Sequence, residues 1–213
     1  MDVRSFTAGT PFSLRNAVRH AAGEVDAGCG AWKDSNWSTF EGRGLSIRAP
    51  DYSQILDMKQ RIYIETSIPS SYYTLRADEE SRTVMNWTRR WWSETAPNFT
   101  LVTGPPVIAE LRQGACAAAT EQRLSLLNDA ELLDTTDHVR EVANIYIKKR
   151  VMPKDPNGDA LHLALASAHR VDVLLTWNCQ HLANPNKMEH IRRVNHELGL
   201  PMPLLMTPLN YLS

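Results

Sequence analysis

Residues 58–213 are predicted to form an α/β domain of three layers, with a parallel sheet between helices. Two observations predict this class. Short segments rich in β-branched and aromatic residues alternate along the chain with longer segments of helical periodicity. Strands that alternate with helices pair in the same direction, because each helix returns the chain to the end of the sheet where the next strand begins.

The individual elements follow from local patterns. The helix predicted at 77–94 has an apolar side formed by Val84, Trp87, Trp91 and Trp92. Pro105 and Pro106 favour a helix start, because the first turn of a helix tolerates proline. The predicted strands are 61–66, 99–103, 131–135, 171–176 and 203–207. The predicted helices are 77–94, 105–113, 115–127, 136–150, 159–169 and 188–198.

Residues 1–57 differ from the rest of the chain. They contain scattered Gly, Ser, Asp and Arg without a sustained period, apart from one short helical stretch at 12–25. Such a segment buries too little apolar surface to offset its ordering entropy, so we expect a poorly ordered N-terminal extension. Two explanations stay open. Either translation starts at Met58 and the start codon has been mis-assigned, or the extension is real and folds when it binds a partner.

Charge and composition restrict the function classes. The net charge of −1 excludes a basic nucleic-acid coat, so RNA binding would depend on local Lys and Arg. The sequence contains no run of 18 apolar residues, so a membrane span is not expected. The first residues also lack the apolar segment of a secretory signal. The three cysteines, Cys29, Cys116 and Cys179, show neither CxxC nor zinc spacing. Reduced thiols and a cytoplasmic location are therefore expected.

Four polar residues are predicted to meet at one edge of the sheet. Glu65 ends the first strand, and Asn178 follows the 171–176 strand. Asp159 lies in the first turn of its helix, and Glu110 interrupts an apolar run on the helix after the second strand. Ligands of open α/β sheets bind at the carboxyl ends of the strands. Because converging carboxylates repel one another, this pattern favours a Mg²⁺ or Mn²⁺ site.

Each of these residues also has a purely structural interpretation. Glu65 and Glu110 are compatible with a solvated position, Asp159 with stabilisation of a helix N-terminus, and Asn178 with a turn. His162, on the helix face of Asp159, is more typical of a packed histidine than of a ligand. The tryptophans at 87, 91 and 92 favour a core or interface over a base-stacking platform. The hypothesis rests on the order of the acids along an alternating fold, and not on any one of them.

Four motifs resemble those of the PIN domain family. Ile62-Tyr63-Ile64-Glu65-Thr66-Ser67 is similar to its opening strand, and Val107-Ile108-Ala109-Glu110-Leu111 to its second acidic motif. The segment from Asp159 to Ala166 (DALHLALA) resembles the third motif, and 173–184 the fourth, in the form of bacterial toxin-like members. The resemblance covers residues 61 to about 208 and none of 1–57.

The resemblance implies an endoribonuclease that selects single-stranded RNA and uses Mg²⁺ or Mn²⁺. It also implies the toxin of a type II, VapBC-type toxin–antitoxin pair, with a cognate antitoxin and a homodimeric state. Glu65, Glu110 and Asp159 would be the metal carboxylates, and Asn178 would complete the catalytic set. Thr66, Thr176 and His162 would be supporting polar residues.

The chain departs from the family pattern at two of these positions. The first acid is Glu where Asp is usual, and Asn178 stands where many members have a fourth Asp. The alternative is therefore a non-catalytic PIN-fold module that binds RNA or a protein. Another phosphate-handling α/β enzyme is disfavoured because GxxxxGK[ST], GxGxxG and DxDx[TV] are absent from the sequence.

The break in periodicity at Met58 generates a first prediction. A chain beginning at Met58 should unfold within a few degrees of the full chain, because residues 1–57 are expected to contribute little packing. Thermal unfolding of the two chains followed by circular dichroism measures this. About 1 kcal/mol shifts the midpoint of a domain of this size by roughly 2–4 °C, so a larger fall would show that the extension packs on the domain.

Overall fold

The computed structural model describes residues 59–212, and the predictions for residues 1–57 lie outside the described residues. The strands are β1 Arg61–Ile64, β2 Thr100–Thr103, β3 Glu131–Leu132, β4 Val173–Leu175 and β5 Leu204–Met206. The helices are α1 Ser67–Tyr72, α2 Glu79–Glu94, α3 Pro105–Arg112, α4 Ala117–Ser125, α5 Asp137–Lys148, α6 Asp159–Ala168 and α7 Met188–Glu197. Short 3₁₀ turns cover Ala96–Asn98, Pro185–Lys187 and Pro208–Tyr211.

The five strands form one parallel sheet in the order β3-β2-β1-β4-β5. The central strand β1 pairs with β2 through Ile62 opposite Leu101, and with β4 through Ile62 opposite Val173. Its side chains at 62–64 are fully buried, as expected of a strand covered on both faces. The predicted α/β/α class with a parallel sheet is confirmed.

The strand order also sorts the helices into two layers. Right-handed crossovers from β1 to β2 to β3 place α1–α4 on one face, and the return through β4 to β5 places α5–α7 on the other. Contacts agree with this, because α5 packs on α6 while α1 contacts α2 and α4. The carboxyl ends of β1 and β4 are adjacent, and the chain leaves β1 toward the β2 side of the sheet and β4 toward the β5 side.

The predicted elements are present, and each is one to four residues shorter than predicted. Residues 133–135 of the predicted third strand lie outside β3, which pairs with β2 at only two positions. Helix α1 was not predicted, because six residues containing Pro69 are too short to show a period. On α2, Trp91 is fully buried, whereas Trp87 is 37% exposed. Of the predicted core or interface position, only the interface is therefore left for Trp87, and it stays a prediction.

A buried polar network ties the three helices α5, α6 and α7 together. The Tyr146 hydroxyl donates to Asn195 Oδ1 at 2.6 Å, and the Ser167 hydroxyl, 3.2 Å away, donates to the Tyr146 oxygen. Asn195 Nδ2 donates to Ser167 Oγ and to the Pro201 carbonyl. Burial raises the pKa of Tyr146 to about 12, so its hydroxyl keeps the proton that it donates.

Two further sequence expectations concern membranes and thiols. Among the described residues, no helix is long and apolar enough to cross a membrane. Cys116 and Cys179 are free and exposed, and Cys29 lies outside the described residues.

Replacement of Tyr146 by Phe should destabilise the domain by about 1–3 kcal/mol, because Asn195 Oδ1 would be left buried without a donor. The melting temperature should fall by roughly 2–4 °C for each kcal/mol. Tyr72→Phe is the matched control, since the Tyr72 hydroxyl forms no hydrogen bond with any described residue. Equal melting temperatures for the native chain and Tyr146→Phe would show that the network contributes nothing to stability.

Candidate metal centre

The polar residues gather where the strand order reverses. Strand β1 is followed in the chain by β2 on one side, while β4 pairs with its other side. Glu65 follows β1 directly, and Thr176 and Asn178 follow β4. The backbone N–H of Glu65 still donates to the Leu175 carbonyl at 3.2 Å, so the two strand ends stay in register. Ligands of open α/β sheets characteristically bind at such a point.

Glu65 is 6% exposed, and one of its carboxylate oxygens is held by three donors. Oε2 accepts hydrogen bonds from the Ser67 backbone N–H at 3.0 Å, from the Ser67 hydroxyl and from the Thr176 hydroxyl at 2.8 Å. Oε1 forms no hydrogen bond with any described residue. The side chain is therefore oriented by one oxygen, and the other remains available to a ligand.

Glu110 projects from α3 toward Glu65 and is fixed by two side chains. The Thr66 hydroxyl donates to its Oε2, and His162 Nε2 lies 3.0 Å from its Oε1. The second ring nitrogen of His162, Nδ1, is 2.9 Å from the hydroxyl of the fully buried Tyr63. Both ring nitrogens are thus occupied, and His162 connects the central strand to the Glu110 carboxylate.

Asp159 opens α6 and faces Asn178. Asn178 Nδ2 donates to Asp159 Oδ1 at 2.8 Å, while Asn178 Oδ1 accepts from the His181 backbone N–H at 3.0 Å. The Asn178 backbone N–H donates to Thr176 Oγ1 at 2.9 Å, which links this pair to Glu65. Asp159 Oδ2 forms no hydrogen bond with any described residue. The amide of Asn178 therefore presents its nitrogen, and not its oxygen, to the acid.

The acids perturb one another electrostatically. Burial, together with the charge of Glu65, raises the pKa of Asp159, and the hydrogen bond from Asn178 only partly opposes this. Burial alone would raise the pKa of Glu110, but the hydrogen bonds and charge of His162 and the Thr66 hydroxyl lower it. Burial would likewise lower the pKa of His162, yet its bond to Glu110 and the charges of the three acids raise it. These directions favour an ion pair between His162 and Glu110.

The donor set fits a hard divalent cation. One ligand atom each of Glu65, Glu110 and His162 lies within 4.8 Å of the others. His162 belongs to this group through its bond to Glu110, and with both nitrogens engaged it positions the carboxylate. Oxygen atoms of Glu65 and Asp159 remain unbonded, and the charge of Glu65 opposes ionisation of Asp159. A cation between these carboxylates would relieve that repulsion. We refer to Glu65, Glu110, Asp159 and Asn178 as the acidic site.

All seven sequence-derived residues lie in or next to this site, although the group of ligand atoms within 4.8 Å contains His162 and not Asp159, which is joined to Glu65 through Asn178 and Thr176. Their roles as ligands stay a prediction. Two further contributors, Ser67 and Tyr63, were not assigned from the sequence. Ser67 lies two residues after Glu65, where its backbone N–H and hydroxyl reach the carboxylate, and this short separation could have identified it. Tyr63 lies within an ordinary strand pattern, and nothing local indicates its bond to a histidine 99 residues away.

The family assignment rests on a match to this region. The PIN domain family model matches residues 62–178, more than half of the chain, from β1 to just beyond β4. The chain belongs to the PIN domain family. The match contains every residue of the acidic site, so the resemblance seen in the four motifs is confirmed.

The comparison with solved structures found similar chains at low identity and with TM-scores below 0.5. VapBC2 from Rickettsia felis, determined with a DNA fragment from its promoter, is 15% identical with a TM-score of 0.47, and the alignment covers 70% of this chain and 98% of that one. Mycobacterium tuberculosis VapC20, a sarcin-ricin loop cleaving toxin, is 15% identical with a TM-score of 0.47, and coverage is 58% and 95%. VapBC-1 from nontypeable Haemophilus influenzae is 16% identical with a TM-score of 0.46, covering 70% and 99%. No curated protein sequence is significantly similar to this chain.

The raised pKa of Asp159 predicts a pH-dependent effect of Asp159→Asn on stability without metal. The stability associated with protonated Asp159 is fully present below the unfolded pKa of about 3.9 and is lost as pH rises through the raised folded pKa. The isosteric neutral variant should therefore melt higher than the native chain at pH 7 in EDTA. The difference should shrink on acidification and vanish below about pH 4.

Thermal unfolding between pH 7 and pH 4 measures this difference. Asp134→Asn serves as the control, because Asp134 is exposed and the same removal of charge should leave the midpoint nearly unchanged. A native chain that is more stable than Asp159→Asn at pH 7 in EDTA would contradict the repulsion between Asp159 and Glu65.

Proposed function

We propose that the chain is a Mg²⁺- or Mn²⁺-dependent endoribonuclease that cleaves phosphodiester bonds of single-stranded RNA. The observation that carries this proposal is the convergence of three carboxylates, each oriented by a separate set of hydrogen bonds, at the switch point of a PIN-domain sheet. Nuclease chemistry is typical of the family, and a site of oxygen donors at a sheet edge suits a phosphate-bound divalent cation.

Each residue has a distinct role in this proposal. Glu65, Glu110 and Asp159 hold the cation, which when bound would orient the phosphodiester, lower the pKa of an attacking water and stabilise the leaving oxygen. Thr176 and Ser67 orient Glu65, while Thr66 and His162 orient Glu110. Held in this way, the acids reorganise little when the cation binds, which is the advantage of a pre-oriented ligand set.

Asn178 gives specific support to a second candidate, a PIN-fold module that binds RNA or a protein without cleaving it. Its neutral amide donates to Asp159 and compensates part of that negative charge without a cation. With Asn178 in place of an Asp, these four positions contribute at most three negative charges. A cation would therefore bind less tightly than it would to four acids, because ligand charge tunes affinity.

We also propose, from family membership, that the protein is a cytoplasmic toxin of a type II toxin–antitoxin pair. A cognate antitoxin and a homodimer belong to this proposal. Co-purification with the product of a neighbouring gene for a small DNA-binding protein would test the antitoxin. The molecular mass in solution would test the dimer, which should be twice the 24.0 kDa chain mass.

Metal titrations should separate the two candidates. Asn178→Asp adds a charge beside the proposed cation and should lower the half-maximal Mn²⁺ concentration for cleavage of an unstructured RNA by roughly tenfold, or about 1.4 kcal/mol. Asp159→Asn should need far more Mn²⁺ or fail. Cleavage should cease in EDTA. Calorimetric binding of Mn²⁺ provides a readout that does not depend on activity.

The matched control adds the same charge elsewhere. Asn128 is exposed just before β3, at the opposite edge of the sheet, and Asn128→Asp should leave the Mn²⁺ requirement unchanged. Equal metal dependence of the native chain and Asn178→Asp would place residue 178 outside the metal's influence. Equal dependence in Asp159→Asn as well, or the absence of cleavage in all variants, would favour the non-catalytic module.

A further inference from the structure

A groove of about 870 Å³ begins beside the acidic site and runs between α1, α2 and α4, from which Arg123 lines it. Ser67, which binds Glu65, and Trp177, which precedes Asn178, lie at its inner end. Much of its lining carries hydroxyl groups, from Ser67, Ser70, Ser71, Thr74 and Ser81. We call this feature the hydroxyl groove.

Trp177 lines the inner end of the groove, and its ring is paired with that of Trp87, which stands just outside the lining. The rings of Trp87 and Trp177 are 6.2 Å apart between centroids and inclined by only 25°. Trp177 Nε1 donates to the buried Thr88 hydroxyl at 2.9 Å, which fixes the orientation of its ring. Trp87 is the exposed member, at 37%. Trp177 thus supplies a fixed ring and Trp87 an accessible ring packed against it, and an exposed aromatic surface of this kind is one on which a nucleobase stacks.

The tryptophan pair is joined to the acidic site by short hydrogen bonds. The Trp177 backbone N–H donates to Ser67 Oγ at 2.8 Å, and the Ser67 hydroxyl donates to Glu65. The residues on either side of Trp177 contact the acids, since Thr176 binds Glu65 and Asn178 binds Asp159. A base stacked here would belong to a nucleotide next to the phosphate at the acidic site.

Arg123 provides a cation on another wall of the groove. It is half-buried, and its Nη2 donates to the Tyr73 carbonyl at 3.0 Å. Its Nε is buried without a hydrogen-bond partner among the described residues. No carboxylate of the described residues lies within ion-pair distance. The buried Nε is closed to a ligand, but Nη1 forms no hydrogen bond with any described residue, so this guanidinium keeps a donor for an incoming phosphate.

The balance of charge in the groove shows what kind of recognition to expect. Arg76 and Arg123 are matched by Asp78 and Glu80, so the groove has no strong positive field. Asp78 is already engaged, because it accepts from the Ser81 backbone N–H at 2.8 Å, and that bond lowers its pKa. Binding should therefore depend on stacking and on a few local contacts. The larger aliphatic side chains of the groove are only Leu75 and Val84, which favours a polar ligand over an apolar peptide.

We propose that the hydroxyl groove binds single-stranded RNA beside the cleaved phosphate, with one unpaired base stacked on the Trp87–Trp177 pair and a phosphate on Arg123. This inference rests on the proposed function. It adds a physical origin for single-strand selectivity, because the base of a duplex is already stacked between its neighbours. The hydroxyl side chains are partners for ribose 2′-hydroxyls, which DNA lacks.

Binding is measured by fluorescence anisotropy with a labelled 12-nucleotide oligoadenylate RNA, using Asp159→Asn as the background to prevent cleavage. Trp87→Ala in that background should weaken binding about tenfold, which corresponds to about 1.4 kcal/mol of stacking. Trp87→Phe should recover most of the affinity. A 12-nucleotide oligomer in which every nucleotide is abasic should bind the background protein and Trp87→Ala equally weakly, because it has no base to stack.

Salt dependence separates stacking from the phosphate contact. Arg123→Gln should reduce the magnitude of the slope of log affinity against log salt by about 0.7, the value for one phosphate of a single strand, whereas Trp87→Ala should leave the slope unchanged. Leu132→Ala removes another exposed apolar side chain, and Arg192→Gln another arginine, both outside the groove. Both controls should keep the slope and the affinity within twofold.

Several outcomes would overturn the proposal. Equal RNA affinity of Trp87→Ala and its background would exclude the stacking platform, and equal salt slopes for Arg123→Gln would exclude the phosphate contact. Loss of binding to a co-purified antitoxin, with RNA affinity retained, would identify the groove as a protein-docking surface and overturn the RNA assignment. Thermal unfolding of each variant confirms that it is folded.

Steady-state cleavage distinguishes this failure from failure of the proposed function. If the native chain cleaves RNA and Trp87→Ala has the native KM, the nuclease proposal is kept and the stacking platform is rejected. If the native chain binds RNA through Trp87 but does not cleave it with Mn²⁺, the groove proposal is kept and the nuclease proposal is rejected. Support for both requires a raised KM in Trp87→Ala with kcat nearly unchanged.

Discussion

Repulsion among carboxylates at one sheet edge is the constraint on which the rest of the site depends. Three acids would be costly to hold together half-buried, since burial disfavours each charge and every neighbour adds to the penalty. The fold meets this cost with a different set of donors for each acid. Ser67 and Thr176 serve Glu65, Thr66 and His162 serve Glu110, and Asn178 serves Asp159. The polar residues around the acids are thus part of the same arrangement as the acids themselves.

The parallel sheet makes this arrangement achievable with few residues. Because β1 and β4 are neighbours and end together, Glu65 and Thr176 meet without any long loop between them. The amino end of α6 reaches the same edge, which brings Asp159 near, and α3 leaves β2 toward it with Glu110. Beneath the acids, Tyr63 and His162 are almost completely buried, so the bond to Glu110 is supported by the core. Rigid support of this kind keeps side chains oriented that would otherwise move apart.

The features that the sequence predicts have local causes, and those that it does not predict depend on contacts between residues far apart in the chain. Strands and long helices are predicted because their periods repeat over several residues, and the acids are predicted because each follows or opens such an element. Helix α1 is missed because Ser67–Tyr72 is too short to have a period. Periodicity places Trp87 and Trp91 on one side of α2 but does not rank them, and only Trp91 is covered by the core. The contacts between Tyr63 and His162 and between Trp177 and Thr88 join residues 99 and 89 positions apart, and no local pattern encodes them.

Asn178 illustrates how one neutral residue affects both stability and chemistry. Its amide nitrogen faces Asp159 because its oxygen is used by the His181 N–H, so the orientation of the amide follows from the backbone turn after β4. An Asp at position 178 would place a second carboxylate within hydrogen-bond distance of Asp159, and the two negative charges would repel each other unless a cation lay between them. The native residue avoids that dependence by supplying a hydrogen-bond donor, which leaves Oδ2 of Asp159 for a ligand. The chain therefore has less negative charge to attract a cation, but each acid has at least one carboxylate oxygen held by hydrogen bonds before any cation binds.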